Sequence, residues 1–159
     1  MNSSSKRDLE IMLSPQKFIQ LLDNNFISAV EFLLNILPGS SSSSENSYLT
    51  ALMSLPPSLK TLDCINRLAL KELLSDEFLL EYLRSSTLFC LDSNLDTSQQ
   101  HRLARLVIVW AQSLFRNKNL PCSGEVFLQL QQLCTNVLGR VNEAASLLKL
   151  LNEIRNTCE

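Results

Sequence analysis

The stretch Leu103-Ala-Arg-Leu-Val-Ile-Val-Trp-Ala-Gln-Ser-Leu-Phe115 decides the fold. Leu103, Leu106, Val107, Trp110 and Leu114 share one helical face, and Ile108, Val109, Ala111 and Phe115 cover much of the rest. A helix that is apolar nearly all round has to be surrounded by other helices. This one is the sixth in chain order and belongs at the centre of a bundle. Thr97 and Gln100, at capping-box spacing, mark its start, and it runs to about Arg116.

Working outward, the same period of three and four residues recurs from Ser14 to Cys158. Ser14-Pro15 opens the first helix, because serine caps free N–H groups and proline is pre-set for the first helical position. The second carries Ile27, Val30, Leu33, Leu34 and Leu37; Ser28 and Glu31 have capping-box spacing, and Pro38-Gly39 ends it. The serine-rich run over 39–47 has nothing to bury and reads as a mobile loop. A short third helix follows from Tyr48 to Leu55, stopped by Pro56-Pro57. Ser58 caps a fourth, with apolar Leu62, Ile65, Ala69 and Leu73 in register. Ser75, followed by Asp76-Glu77, starts a fifth, which frays through Leu88–Leu91. Ser123 caps a seventh helix that ends at Gly139, and an eighth carries Val141, Ala144, Leu148, Leu151 and Ile154. The tight connection at Gly139 makes these last two an antiparallel hairpin over 123–157.

The expected architecture is therefore all-α: a compact bundle of about seven to eight helices with a central apolar helix and a C-terminal helical hairpin. Residues 1–13 read as a largely disordered stub and 14–158 as a single helical domain, long enough to bury a core. A net charge of −2 gives no bulk attraction to nucleic acid. The longest fully apolar run, Leu106–Ala111, is far too short to span a membrane, and the opening residues MNSSSKRD lack the apolar stretch of a signal peptide. The five cysteines are odd in number, widely spaced and never arranged as Cys-x-x-Cys. That pattern argues against a disulfide framework and for a reduced intracellular compartment, cytoplasmic or nuclear.

Little in the chain suits chemistry. His101 is the single histidine and has no cysteine at ligand spacing; it reads as a solvated or capping side chain. Asp76, Glu77 and Glu81 read as a solvated helix start rather than an acid/base pair. With three scattered glycines no phosphate-cradling loop exists. No catalytic residue, metal or cofactor is expected, and an enzyme is the rejected class. Trp110 reads as a core anchor.

Two surfaces are candidates for a partner. Arg102 and Arg105 share a helix face, with Arg116 and Lys118 at its far end and Arg67 and Lys71 elsewhere; such a patch suits an acidic protein tail or a few phosphates. The eighth helix carries an apolar stripe broadened by Leu147 and Leu150, alongside Leu151 and Ile154, which one neighbouring helix does not easily cover. The partner envisaged is a protein, a helix or peptide of a larger complex, with a second copy of this chain as the alternative. Sequence-specific nucleic-acid binding and membrane insertion are not expected.

Three stretches carry a family resemblance. Tyr48-Leu-Thr-Ala-Leu-Met53 with Ile65-Asn-Arg-Leu-Ala69, the helix end Leu106–Leu120, and Val30-Glu-Phe-Leu-Leu-Asn-Ile36 resemble the helical domain of the survival-motor-neuron-interacting, Gemin-type family. The resemblance covers roughly Ser14 to Leu120. It implies a non-catalytic scaffold in spliceosomal RNP assembly and mRNA splicing, without the family's long N-terminal arm and with two additional helices. A second resemblance competes. Leu62 to Phe115, with His101-Arg-Leu-Ala-Arg-Leu-Val and Trp110, is similar to the helical docking domain of transcription elongation factors, which implies binding of short disordered peptides.

Overall fold

The computed structural model describes residues 13–39, 43–92, 94–118, 120 and 124–158. Among them are eight α-helices and no strand: α1 Pro15–Asn24, α2 Phe26–Ile36, a 3-10 turn Leu37–Gly39, α3 Ser43–Met53, α4 Leu59–Leu70, α5 Asp76–Cys90, α6 Thr97–Asn117, α7 Gly124–Asn136 and α8 Glu143–Cys158. The all-α expectation holds. The chain divides into two compact units, the first ending at Leu74 and the second beginning at Ser75.

In the first unit, Ser14 caps α1, its Oγ accepting from the Lys17 amide at 3.2 Å with Pro15 in the first turn. Asn25, a single residue between helices, caps α2 by accepting from the Ser28 amide at 3.3 Å. The Ser28 start is thus corrected by two residues: the Asn25 carboxamide reaches the free amides first. Phe18 of α1, Phe32 of α2 and Tyr48 of α3 meet in one buried cluster, with Phe32 and Tyr48 edge-to-face at 5.3 Å. The Tyr48 hydroxyl donates to the Leu13 carbonyl, so its polar tip is satisfied. Helix α3 begins at Ser43, five residues before the expected start, so the run over 43–47 is helical and not loop. Serine is only a moderate helix former, but tertiary anchoring downstream by buried Tyr48 and Leu52 outweighs that propensity. The stub over 1–12 and positions 40–42 of the serine run lie outside the described residues.

Helix α4 is capped by Ser58, whose Oγ accepts from the Thr61 amide at 3.2 Å. Its inner face presents Leu62, Ile65 and Leu68. Lys60 Nζ donates to the Asp23 carbonyl at 2.6 Å, placing a cation at the C-terminal end of α1, where the helix dipole favours it. Arg67 lies over the Phe26 ring at 5.4 Å and pairs with Asp63 at 3.4 Å, joining α2 to α4. The helix ends in a Schellman motif, Leu73 N–H to Leu68 C=O and Glu72 N–H to Ala69 C=O. The left-handed position, usually glycine, is Glu72 with φ +57.

In the second unit, Ser75 caps α5, accepting from the Phe78 amide at 3.1 Å. Asp96, not Thr97, caps α6 by accepting from the Gln99 amide at 2.8 Å. Gln100 instead sends its side-chain N–H to the Cys90 carbonyl at 3.0 Å. Helix α5 stays regular to Cys90, because Tyr82, Leu83, Ser86, Thr87 and Cys90 keep one face buried to its end. Helix α6 packs on α5, α7 and α8, as the apolar stretch implied. Buried Trp110 stands edge-to-face on Tyr82 at 5.9 Å, and Phe115 on Phe127 at 5.4 Å. Helices α7 and α8 pack together as the expected hairpin. Gly139, with φ +85, supplies the left-handed residue of their connection. The expected Ser123 cap lies outside the described residues.

Candidate partner-binding surface

The inward faces of the second unit are tightly specified. Ala104, Val107, Ile108, Ala111 and Leu114 of α6 are buried, as are Val126, Leu130, Leu133 and Cys134 of α7. On α8, Leu147 and Leu151 are both 0 % exposed. This corrects two of the contact residues expected on the eighth helix. Leu147 and Leu151 are core, because α6 and α7 both pack on α8 and together cover its apolar stripe. Leu150 and Ile154, at the edges of that stripe, are half-buried and retain some outward surface.

The two arginines face outward. Arg105 Nε approaches Glu143 Oε2 at 3.4 Å, and Gln112 Nε2 donates to the Glu143 carbonyl at 3.2 Å. One residue at the start of α8 is thus held twice from α6. Arg102 is exposed and forms no ion pair among the described residues. Arg67 and Lys71 lie in the first unit, so the basic residues singled out are shared between the two units.

Of the remaining polar candidates, Glu81 has a structural partner. Glu81 binds Arg84, whose Nε donates at 3.0 Å, and this hydrogen bond holds the Glu81 carboxyl below its usual range. Asp76 and Glu77 sit exposed in the first turn of α5. His101 is half-buried in the second turn of α6. Cys64, Cys90 and Cys134 are buried free thiols. Burial pushes each from 9.0 up to about 12; at Cys64 the Asp63 charge adds to this and Arg67 opposes it. Such thiols are poor nucleophiles. Among the described residues no group of His, Cys, Asp and Glu is placed to hold a metal ion, and no helix is long and apolar enough to cross a membrane.

Reading the sixth helix as apolar nearly all round concealed one feature. Val109 is 45 % exposed. The signal was present: Arg102, Arg105 and Arg116 mark a polar side of α6, and Val109 falls within it. Leu88, Phe89, Leu128 and Leu138 are further exposed apolar residues of the second unit.

Eight α-helices whose buried faces are almost wholly apolar define an all-α module built on apolar packing. Its family is given by comparison. Residues 22–152 match the family described as CCR4-NOT transcription complex subunit 11, and the chain belongs to that family. A protein of Dictyostelium discoideum, CCR4-NOT transcription complex subunit 11, is 30% identical over 144 residues, which are 89% of this chain and 21% of that relative. The chain therefore spans about a fifth of the length of the curated relative it matches.

This overturns the Gemin-type resemblance, and with it the reading as an RNP-assembly and splicing factor. The match runs through α7 and into α8, which that resemblance left unassigned. The physical reason for the misassignment is plain. Leucines three and four residues apart report that a helix has a buried face, and unrelated helical proteins share that requirement.

Proposed function

We propose that this chain acts as a non-catalytic part of a CCR4-NOT-type complex, holding protein segments on the outer faces of its helices. The observation that carries this reading is the family match over residues 22–152, which takes in helices of both units. A chain of this composition, with buried inert thiols and with Asp63, Glu81, Asp96 and Glu143 engaged in ion pairs or capping, suits binding rather than reaction. The transcription-linked docking reading of the sequence is nearer to the family's description than the splicing one. On this account the partner is a helix or peptide of another protein, contact with nucleic acid is not sequence-specific, and the protein works in the cytoplasm, the nucleus or both. Arg102, Arg105, Leu150 and Ile154 are the outward residues of the second unit assigned to partner contact. The test is reciprocal capture: tagging a core subunit of the CCR4-NOT complex in the protein's own cells should recover this chain by mass spectrometry. Its recovery with Sm proteins instead, or with no other complex subunit, contradicts the reading.

A further inference from the structure

We propose that the exposed face of α6 centred on Val109 docks a short acidic segment of a protein partner, with an apolar side chain of that segment seated on Val109. The inference deepens the proposed function and rests on it for the partner being a protein. At 3.6 residues per turn, Ser98, Arg102, Arg105, Val109, Ser113 and Arg116 fall within a sector of about 80°. The outward character of that sector is continuous: all but Ser113 are exposed, and Ser113 is half-buried. From Arg102 to Arg116 the strip is about 21 Å long.

Two properties set this strip apart from an ordinary solvated face. Helix α6 carries no Asp or Glu between Thr97 and Asn117, so its arginines have no compensating charge on their own helix. Two arginines on other helices do have such compensation, Arg67 from Asp63 and Arg84 from Glu81, each within about one turn of the same helix. On the strip only Arg105 has an acidic neighbour, Glu143 of α8 at 3.4 Å, while Arg102 and Arg116 form no ion pair among the described residues. The second property is Val109 itself, an exposed β-branched side chain between the arginines. A surface that only meets phosphates gains nothing from an apolar centre. An acidic peptide bearing one apolar residue is complementary to both, since guanidinium groups bind carboxylates in bidentate pairs and the valine excludes water at the middle of the contact.

The test uses the full chain and fluorescence anisotropy of a labelled synthetic peptide of about 14 residues, the number a helix needs to cover the strip, built from Glu with Leu at every fourth position. Three controls accompany it: the peptide with Ser for Leu, the peptide with Lys for Glu, and an oligouridine. The Glu/Leu peptide should bind most tightly, and less so as salt rises. The double variant Arg102→Glu/Arg116→Glu should weaken it by about tenfold or more, as loss of close charge pairs implies. Arg102→Gln/Arg116→Gln, milder at two exposed sites, should move affinity in the same direction. Val109→Ser should weaken the Glu/Leu peptide and leave the Glu/Ser peptide unchanged. Equal binding of the Lys peptide, no response to either arginine pair, or tighter binding of oligouridine that is indifferent to Val109→Ser overturns the proposal, the last in favour of a phosphate-binding face. Failure of the proposed function shows elsewhere, as loss of CCR4-NOT subunits from capture of the unaltered chain.

Discussion

Trp110 offers the sharpest mutational test of how the second unit is held together. Its side chain is 5% exposed and stands edge-to-face on Tyr82. An indole buries roughly 200 Å², which at about 25 cal/mol per Å² corresponds to about 5 kcal/mol. The edge contact to Tyr82 contributes about 1 kcal/mol more. Against these stands the indole Nε1, buried without a hydrogen-bond acceptor among the described residues. Leaving such a donor unpaired costs about 1–3 kcal/mol, which any truncation relieves. Trp110→Ala should therefore destabilise by about 3–5 kcal/mol, the range for removing a large buried aromatic. Trp110→Phe keeps most of the ring and discards the unpaired N–H, and should lie within about 1.5 kcal/mol of the parent. Urea unfolding followed by far-UV circular dichroism reads both differences, and the parent's tryptophan emission should be blue-shifted when folded. A loss under about 1 kcal/mol for Trp110→Ala would remove Trp110 from the core. Phenylalanine as damaging as alanine would show that the indole N–H is bonded after all.

Leu147→Glu should unfold the second unit, because it buries an unpaired charge at a fully enclosed position, whereas Leu150→Glu on the half-buried edge should shift stability by less than about 1 kcal/mol; a folded Leu147→Glu chain by circular dichroism contradicts the packing of α8. Glu72→Gly should stabilise the fold by about 0.5–1 kcal/mol, read as a higher urea midpoint, since Glu72 occupies the left-handed position that closes α4, and a lower midpoint refutes that cost. The three buried thiols are held up to about 12 against 9.0. Their folded pKa is the higher one, so the stability they contribute is complete below pH 9 and is lost as pH rises toward 12. Replacing the three with alanine should flatten that alkaline slope in urea titrations, and an unchanged slope contradicts their burial.

Helix boundaries were legible where a single residue type has a local job. Ser14, Ser58 and Ser75 each accept the amide three residues on, and Gly139 takes the left-handed turn. Where two candidates compete the sequence misleads: Asp96 outranks Thr97 and Asn25 outranks Ser28, because each stands one turn ahead of the amides it caps. Periodicity told that α6 and α8 have apolar faces but not how wide the covered arc is. Leu147 is covered and Val109 is not, and that depends on how closely α6 and α7 approach α8, a tertiary quantity. The division at Leu74 is equally tertiary; its local trace is only the Ser75 cap. Family and partner were least legible, since leucine spacing encodes burial and not identity.

The most direct measurement of the central claim is the sedimentation of the untagged protein in a native lysate of its own cells. If the chain works inside a CCR4-NOT-type complex, it sediments in the heavy fractions together with that complex's other subunits. Sedimentation in lighter fractions, while the complex travels intact without it, contradicts this placement.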